Sequence, residues 1–596
     1  MNHYQKKFQK VIGIVKYHEN VCAFILLITL AFAIYQSALL GYWRFDDGTH
    51  LNFVARYSPW QYFLQPSIAV QQSAHITPYN AFFYEINLAL FGMEPKWHYA
   101  HQILILSATA FATYRLMRFW QRPEVSLLAS ITFLLGLPTL YVAHQLMTGH
   151  YSTGLLFSVL SLYFFVLGVR QKQNKRVLLG AVFYFLATTC KEVYVPLVLI
   201  LPFIPVGDNL KTRLKASLSF IVITILYVLW RYIVLGQLVG GYIANPVSLV
   251  DRFTQLLNIP FFLMGWNPRL DRVDYLLSQG SIYLIAIFLF LVLFAFASYR
   301  RYLNWLLIFA ALPLIFIPLW ILTKNPGILS ADRYLYLLWW ACSILIAILV
   351  GSLRYTRREF AIQYVFSIGL FAFLFSVQMR ESLHFSPTIK NFEILYRTAL
   401  QINSHTALIP PNPKDYYHDI LSGVKQANAI LENGYHDPKQ IVADKKSLCE
   451  NVKKGSIILK FDETCNCIKD VTQNLGENLA EIMEYEGRAV ADIPLNFKLN
   501  FRDRMLHWEL GPFTEGTYFL FGKGMRTVIP SRGEYRSGGT EPLHFRIGHE
   551  SSDGRVALSP HLEFDMTKQS EFNWKGVSVA ETASCDSNEH QKHKPN

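Results

Sequence analysis

The sequence predicts a polytopic α-helical membrane protein of about 11 transmembrane helices, followed by a soluble, β-rich α+β domain outside the cytoplasm. Three observations predict it. Of the 596 residues, 52% are hydrophobic and only 16% are charged, with a mean hydropathy of +0.23, whereas soluble domains carry roughly 25% charged residues. The apolar residues gather in runs of about 20, the length of a helix that crosses a bilayer core. The runs stop near Gln378, and polar, mixed sequence follows. A disordered chain, a disulfide scaffold, a fibrous repeat and a wholly soluble enzyme are excluded.

The expected spans are 21–42, 98–119, 125–143, 152–169, 177–190, 193–207, 216–237, 280–298, 303–322, 333–352 and 360–378. The two short ones meeting at Lys191-Glu192 suggest a hairpin whose turn is buried in protein rather than lipid. Lys6, Lys7, Lys10 and Lys16, then Arg115, Arg118 and Arg122, then Arg170, Lys172, Lys175 and Arg176, sit at alternate span ends. Lys211, Arg213 and Lys215, Arg300-Arg301, and Arg354, Arg357 and Arg358 continue the series, so all can face the cytoplasm. The net charge of +13 therefore reads as a topology signal, and no nucleic-acid partner is expected. Segment 238–279, with Pro260 inside its apolar stretch Phe253–Trp266, is placed as an interfacial or re-entrant element on the outer side. An odd span count sends the C-terminal domain to the face opposite the N-terminus. The first run exceeds a typical signal-peptide h-region, and Gln36-Ser37-Ala38-Leu39 lacks a small-x-small cleavage site, so it is expected to stay as a signal anchor.

The domain reading is a transmembrane catalytic domain over 1–379, an extracytoplasmic soluble domain over 380–584 and a polar, disordered tail over 585–596. In the soluble domain, helices are expected at about 388–402 and 416–432, separated by Pro410-Pro411-Asn412-Pro413. Strands are expected at Gly455–Phe461, Thr517–Gly522, Leu543–Ile547, Val556–Phe564 and Phe572–Val579, as a sandwich-like module. Trp508, Tyr518, Phe519 and Trp574 are expected in its core. Cys22, Cys190 and Cys342 read as packing residues. Cys449 is expected to pair with Cys465 or Cys467 in an oxidising compartment. No metal ligand set is expected, because Cys465-Asn-Cys467 is too closely spaced for a zinc pair.

The first outer loop, 43–97, opens with Trp43-Arg44-Phe45-Asp46-Asp47-Gly48. Desolvation at the membrane boundary and a neighbouring acid both raise a carboxylate's pKa, which suits a general base for a hydroxyl. A solvated helix end accounts for the same two acids, and Asp46 and Asp47 are not separable from sequence. The loop continues through Ser73-Ala74-His75-Ile76-Thr77-Pro78-Tyr79-Asn80, with aromatic residues suited to helices lying on the membrane. Other outer-face ionisable groups are few: Lys191-Glu192, Arg231 beside Tyr232, Asp332-Arg333-Tyr334, and His144 and His150. Ionisable groups at such depth are costly. An Arg there can snorkel, pair with a carboxylate, or hold a phosphate by charge-assisted bonds.

Over residues 20–355 the chain resembles multispanning lipid-dependent glycosyltransferases of the GT-C class, in particular the protein O-mannosyltransferase-like, tetratricopeptide-associated transmembrane branch. The resemblance is carried, in order, by Phe45-Asp46-Asp47, by Asn87-Leu88-Ala89-Leu90-Phe91-Gly92-Met93-Glu94-Pro95, and by Lys191-Glu192 with Pro196-Leu197. Arg231-Tyr232 with Leu235-Gly236 and Gly240-Gly241-Tyr242, then Asp332-Arg333-Tyr334-Leu335-Tyr336, complete it. The family's "R-P-L" stands here as Ile76-Thr77-Pro78, its His and Asn before the second span as Tyr99 and Gln102, and no tetratricopeptide array follows.

The resemblance implies a polyprenyl-phosphate-linked sugar as donor, and transfer with inversion to an extracytoplasmic hydroxyl on a glycan, lipid or protein. It implies Asp46 or Asp47 as base, with Arg231, Arg333 and Lys191 on the donor phosphate. Glu192, His75 and Tyr334 are expected to position substrate. A divalent ion is conceivable, but a monophosphate donor needs one less than a diphosphate does, and metal-independent chemistry is favoured. The expected setting is a bacterial inner membrane with the catalytic face periplasmic. The alternatives are an oligosaccharide ligase or polymerase using a diphosphate-linked donor, and a non-enzymatic lipid or solute transporter.

Overall fold

Several helix boundaries in the N-terminal half fall at proline or glycine. The computed structural model describes residues 18–236 and 333–585, apart from 73–74, 207–208, 352–356, 412–416, 433–437, 443, 463, 477–481, 483–487, 503–504, 523–524, 537–542, 566–567 and 580–584. The expected spans 280–298 and 303–322, segment 238–279 and Arg300-Arg301 lie outside the described residues. In chain order the helices are α1 (Glu19–Ile34), α2 (Asp47–Arg56), α3 (Pro59–Leu64), α4 (Pro66–Ala69), α5 (Pro78–Phe91), α6 (Pro95–Met117), α7 (Pro123–Leu134) and α8 (Leu137–Ala143). There follow α9 (Gly149–Gln171), α10 (Asn174–Cys190), α11 (Leu210–Leu235), α12 (Tyr336–Gly351), α13 (Arg357–Gln401), α14 (Tyr417–Leu431) and α15 (Lys445–Lys453). The described chain divides into two units, the first holding 18–41, 90–230 and 333–386, the second 42–89, 231–236 and 387–585.

The first unit is helical. Gly92, in the left-handed region at φ 58°, ends α5, and Pro95 opens α6 from its first turn. The Phe-Gly-Met-Glu-Pro stretch is thus a helix stop followed by a helix start. The helix Leu146–Gln171 (a 3-10 turn leading into α9) and α11 are each long and apolar enough to cross a membrane, and α7 with α8 passes the same test as a pair bent by 58°. The bend goes with a close contact from a distant part of the chain. A Cβ on Gly136 would stand 1.7 Å from Trp339 Nε1, so the indole of α12 occupies the space that a side chain would fill. Carbonyls freed at the break are satisfied from inside the protein, as a lipid setting requires. Phe133 O accepts from Thr139 Oγ1 at 2.7 Å and from Trp339 Nε1 at 3.1 Å. Leu134 O accepts from Tyr35 OH and from Gln378 Nε2. On α11, Leu218, Val222, Ile225 and Leu229 are exposed, an apolar stripe suited to lipid.

The short span expected at 193–207 takes a different form. Glu192–Leu199 and Leu201–Phe203 are 3-10 helices. Pro196 and Pro202 remove backbone donors that an α-helix would need. His144 is a packing residue: its ring meets Ser37 Oγ and Leu140 O, both at 2.9 Å.

In the second unit, β1 (Thr406–Ile409) pairs in parallel with β2 (Ile457–Asp462), and β3 (Cys467–Asp470) adds antiparallel to β2. The crossover between β1 and β2 carries α14 and α15. Next come β4 (Pro494–Arg502), β5 (Met505–Gly511), β6 (Thr517–Gly522), β7 (Met525–Val528), β8 (Arg532–Arg536), β9 (Leu543–Glu550), β10 (Val556–Leu558), β11 (Leu562–Phe564) and β12 (Ser570–Val577). They form a four-stranded sheet β12-β4-β5-β8 and a second sheet β10-β9-β6-β7 with β11 on β9. Leu495, Phe497, Leu499 and Phe501 alternate along β4 into a core shared with Trp508, Tyr518, Phe545 and Ile547. Trp574 is only half-buried and stacks on Phe497.

The disulfides differ from expectation: Cys449 bonds to Cys585, and Cys465 to Cys467. The first ties Cys585, at the start of the polar tail, to α15. The second closes the tip of the β2–β3 hairpin, where Asn466 takes φ 52°.

Candidate active site

The acid pair is set by a tight turn. Arg44 N donates to Asp47 Oδ2 at 2.7 Å, and Asp47 N donates back to Arg44 O at 2.9 Å. Phe45 takes φ 48°, a left-handed conformation that costs a bulky residue on the order of 1–3 kcal/mol. The turn points Arg44 and Asp47 inward and leaves Phe45 and Asp46 exposed. Asp46 stands at the N-cap of α2 with no side-chain hydrogen bond to the helix.

Asp47 is 1% exposed. Its Oδ1 accepts a 2.5 Å hydrogen bond from Tyr84 OH. Burial raises its pKa to about 7; the hydrogen bonds from Tyr84 and the Arg44 backbone and the nearby Arg44 guanidinium pull it down, while the charge on Asp46 pushes it up. A carboxylate poised near neutrality exchanges protons readily at physiological pH.

Tyr84 belongs to a buried polar stripe on α5, a mostly apolar helix whose one charged residue, Glu85, is half-buried. Asn80, Tyr84 and Asn87 recur on one face of α5 and all are buried. His50, one turn after Asp47 on α2, stacks on the Tyr84 ring at 5.2 Å, and its Nε2 lies 3.3 Å from Asn80 Nδ2. Arg44, His50, Asn80 and Tyr84 were not among the residues singled out from sequence. The signal was there: three polar residues at helical spacing among apolar neighbours.

The other expected residues are distributed as follows. His75 is half-buried in the bend before α5. Arg231 is buried near the end of α11 beside an exposed Tyr232. Asp46, Asp47, His75 and Arg231 fall in the second unit; Lys191, Glu192 and Arg333 fall in the first. Lys191 is buried after α10, its Nζ 5.8 Å from the centre of the Tyr151 ring. Arg333 opens a 3-10 turn, Arg333–Leu335, with Nη1 3.8 Å from Met147 Sδ. Met147 and Tyr151 are four residues apart at the start of the helix Leu146–Gln171, so Lys191 and Arg333 approach the same helix end. Glu192 is half-buried beside Lys191. Tyr334 lies in the turn with Arg333, only its backbone being described, and Asp332 lies outside the described residues. Among the described residues, no three His, Cys, Asp or Glu side chains gather as a metal site would need.

Comparison with solved structures finds likenesses at low identity. The crystal structure of ArnT from Cupriavidus metallidurans in the apo state is 15% identical, covering 74% of this chain and 93% of that one, with a TM-score of 0.43. The same protein bound to undecaprenyl phosphate is 14% identical over the same shares, with a TM-score of 0.42. The archaeal oligosaccharyltransferase AglB from Archaeoglobus fulgidus, in complex with an inhibitory peptide and a dolichol-phosphate, is 9% identical. That match covers 87% of this chain and 76% of AglB, with a TM-score of 0.43. No family model matches the chain, and no curated protein matches it.

Proposed function

We propose that the chain is a membrane glycosyltransferase of the GT-C type, moving one sugar from a polyprenyl-phosphate-linked donor to an extracytoplasmic acceptor hydroxyl with inversion. The observation that carries this reading is Asp47: a buried carboxylate at the head of α2, raised to about 7 by burial and aligned by Tyr84. The acceptor oxygen forms its bond to the anomeric carbon as its proton passes to Asp47, and the bond from that carbon to the phosphate oxygen breaks. The electron pair leaves with the lipid phosphate, which gains a negative charge. Asp46, exposed beside the base, holds the acceptor. His75, Glu192 and Tyr334 position the substrates.

Lys191, Arg333 and Arg231 stabilise the phosphate. Two features support this role. Lys191 and Arg333 approach the start of one long helix, and a helix N-terminus carries partial positive charge. Charge stabilisation at a leaving phosphate acts where the charge develops. The reading needs no metal. The two disulfides of the C-terminal portion suit an oxidising face such as the periplasm of a bacterial cell.

The test is turnover by the purified full chain with a panel of polyprenyl-phosphate sugars and candidate acceptors, comparing wild type with Asp47→Asn and Asp46→Asn. Asp47→Asn should lose transfer by about 10²–10⁴-fold, the usual contribution of a general base, and Asp46→Asn should lose less. Full activity in Asp47→Asn, or turnover only with diphosphate-linked donors, would overturn the proposal.

A further inference from the structure

The acid turn is held on both sides by the C-terminal half of the chain. Just before it, the Tyr42 ring packs on Tyr396 of α13, centroids 5.6 Å apart. Just after it, α2 crosses α14 at a glycine-to-glycine contact. A Cβ on Gly423 would stand 2.6 Å from the carbonyl carbon and oxygen of Gly48 and 3.0 Å from its Cα. A Cβ on Gly48 would stand 2.5 Å from Ile420 O and 3.1 Å from Asp419 O. Every atom in the way belongs to backbone, so no side-chain rotation relieves the contact. Only glycine at both positions permits this approach of two helices.

The far side of α14 is fixed just as firmly. Leu421 is buried with Leu395, Ala399 and Ile402 of the α13 end and with Leu408 of β1. The buried Lys425 donates from Nζ to Ile402 O at 2.6 Å and to Ala399 O at 3.4 Å. Ala399 O belongs to the last turn of α13 and Ile402 O lies just past its end, so the cation meets the negative end of the helix. A continuous line of contacts therefore runs from the end of α13 through Lys425 and α14 to Gly48, the residue next to Asp47.

We propose that the soluble domain clamps the catalytic acid, with Gly48, Gly423 and Tyr396 acting as positioning residues for Asp47. The inference rests on the reading of Asp47 as the base, and it gives the domain a task in the transfer step itself. A displacement of about 1 Å at a reacting group can cost on the order of 10²-fold in rate. A methyl group at Gly423 would press on the backbone next to Asp47 and so act on the base, while the proposed donor ligands Lys191 and Arg333 belong to the first unit.

The test uses the full chain in detergent, with intact Cys449–Cys585 on a non-reducing gel as the check that the domain has folded. Gly423→Ala is expected to lower kcat at least tenfold and to leave the donor KM within twofold. It should also move the ascending limb of the pH profile to lower pH, because a loosened crossing admits water to Asp47. A folded Gly423→Ala with wild-type kcat and pH profile would overturn the clamp. Should that variant fail to fold, Tyr396→Leu removes the other contact without adding an atom at the crossing. It should lower kcat several-fold with the same direction of pH change, and wild-type values would again overturn the clamp. The Asp47→Asn comparison separates the two levels. Loss of transfer there with wild-type behaviour in the clamp variants sinks only the clamp; full transfer there sinks the base assignment and the clamp together.

Discussion

Tyr84 OH donates to Asp47 Oδ1 across 2.5 Å, joining residues 37 apart in sequence. The bond favours the charged carboxylate, against the burial that disfavours it. Asp46 acts in the opposite direction through its own negative charge. The two neighbours therefore make predictions of opposite sign. Tyr84→Phe removes a donor to the charged form and should move the ascending limb of kcat/KM to higher pH, by roughly one unit if the bond contributes about 1.5 kcal/mol. Asp46→Asn removes a repulsion and should move the same limb to lower pH, by less. Rate profiles from about pH 5 to 9 check both, and shifts of the same sign in both would contradict the electrostatic account.

Asp47 should also destabilise the fold at neutral and alkaline pH. Burial raises it from 3.8 to about 7. Between those values the folded chain holds a proton that the unfolded chain has lost. Its contribution is fully present below about pH 4 and lost as pH rises through about 7, amounting to roughly 4 kcal/mol in all. Asp47→Asn has no charge to bury, and its amide still offers an acceptor to Arg44 N and a donor to Tyr84. It should melt several degrees above wild type at pH 8 and show no such advantage near pH 4. Thermal unfolding in detergent at the two pH values decides this.

How much of this was legible in the sequence depends on the range of the determinant. The apolar runs gave helices where they were expected over α1, α6, α9 to α11 and α12, because a lipid-length run is a local property. The bend between α7 and α8 was not legible: Gly136 and Pro138 stand in the sequence, but the Trp339 indole that needs the space is about 200 residues away. In the C-terminal portion, β4 was legible and passed over, since Leu495, Phe497, Leu499 and Phe501 alternate strictly with Asn496, Lys498, Asn500 and Arg502. At the candidate site, the acid pair Asp46-Asp47 could be read from the sequence. The choice between them depends on Tyr84 and on which way the Phe45 turn points each side chain, and both are tertiary facts. The partner of Cys449 is likewise not encoded by spacing.

The proposed donor phosphate ligands should separate from the proposed base in kinetics. Arg333, beside Met147, and Lys191, beside Tyr151, approach one helix end. Loss of a hydrogen bond to a charged group costs about 1.5–3 kcal/mol. Arg333→Ala and Lys191→Ala should each raise the donor KM or weaken donor binding by about 10–100-fold, and leave the pH limb set by Asp47 in place. Binding isotherms with a polyprenyl phosphate check the first point, and unchanged affinity in both variants would remove the phosphate role.

The Cys449–Cys585 bridge closes a loop with a sequence separation of 136. The chain-entropy model gives such a loop an upper limit of about 5 kcal/mol. Cys585→Ser should therefore lower the melting temperature of the C-terminal portion by many degrees. Wild type treated with reductant should fall to meet it. A Cys465→Ser variant, whose bridge spans a sequence separation of 2, should change stability far less.

The bend at Gly136 makes the last prediction. A methyl group there would stand 1.7 Å from Trp339 Nε1, and the same indole donates to Phe133 O, a carbonyl exposed by the break. Gly136→Ala must displace the indole, losing that bond and overpacking a buried site, at a cost of roughly 1–3 kcal/mol from the packing alone. Trp339→Leu removes the bond but relieves the crowding. Because both changes act on one contact, their effects should not add. The double variant should be nearer in stability to Trp339→Leu than to the sum of the two singles. Melting curves of the four proteins in one detergent supply the cycle. Strict additivity would mean that the indole and the missing side chain are independent, contrary to the packing described.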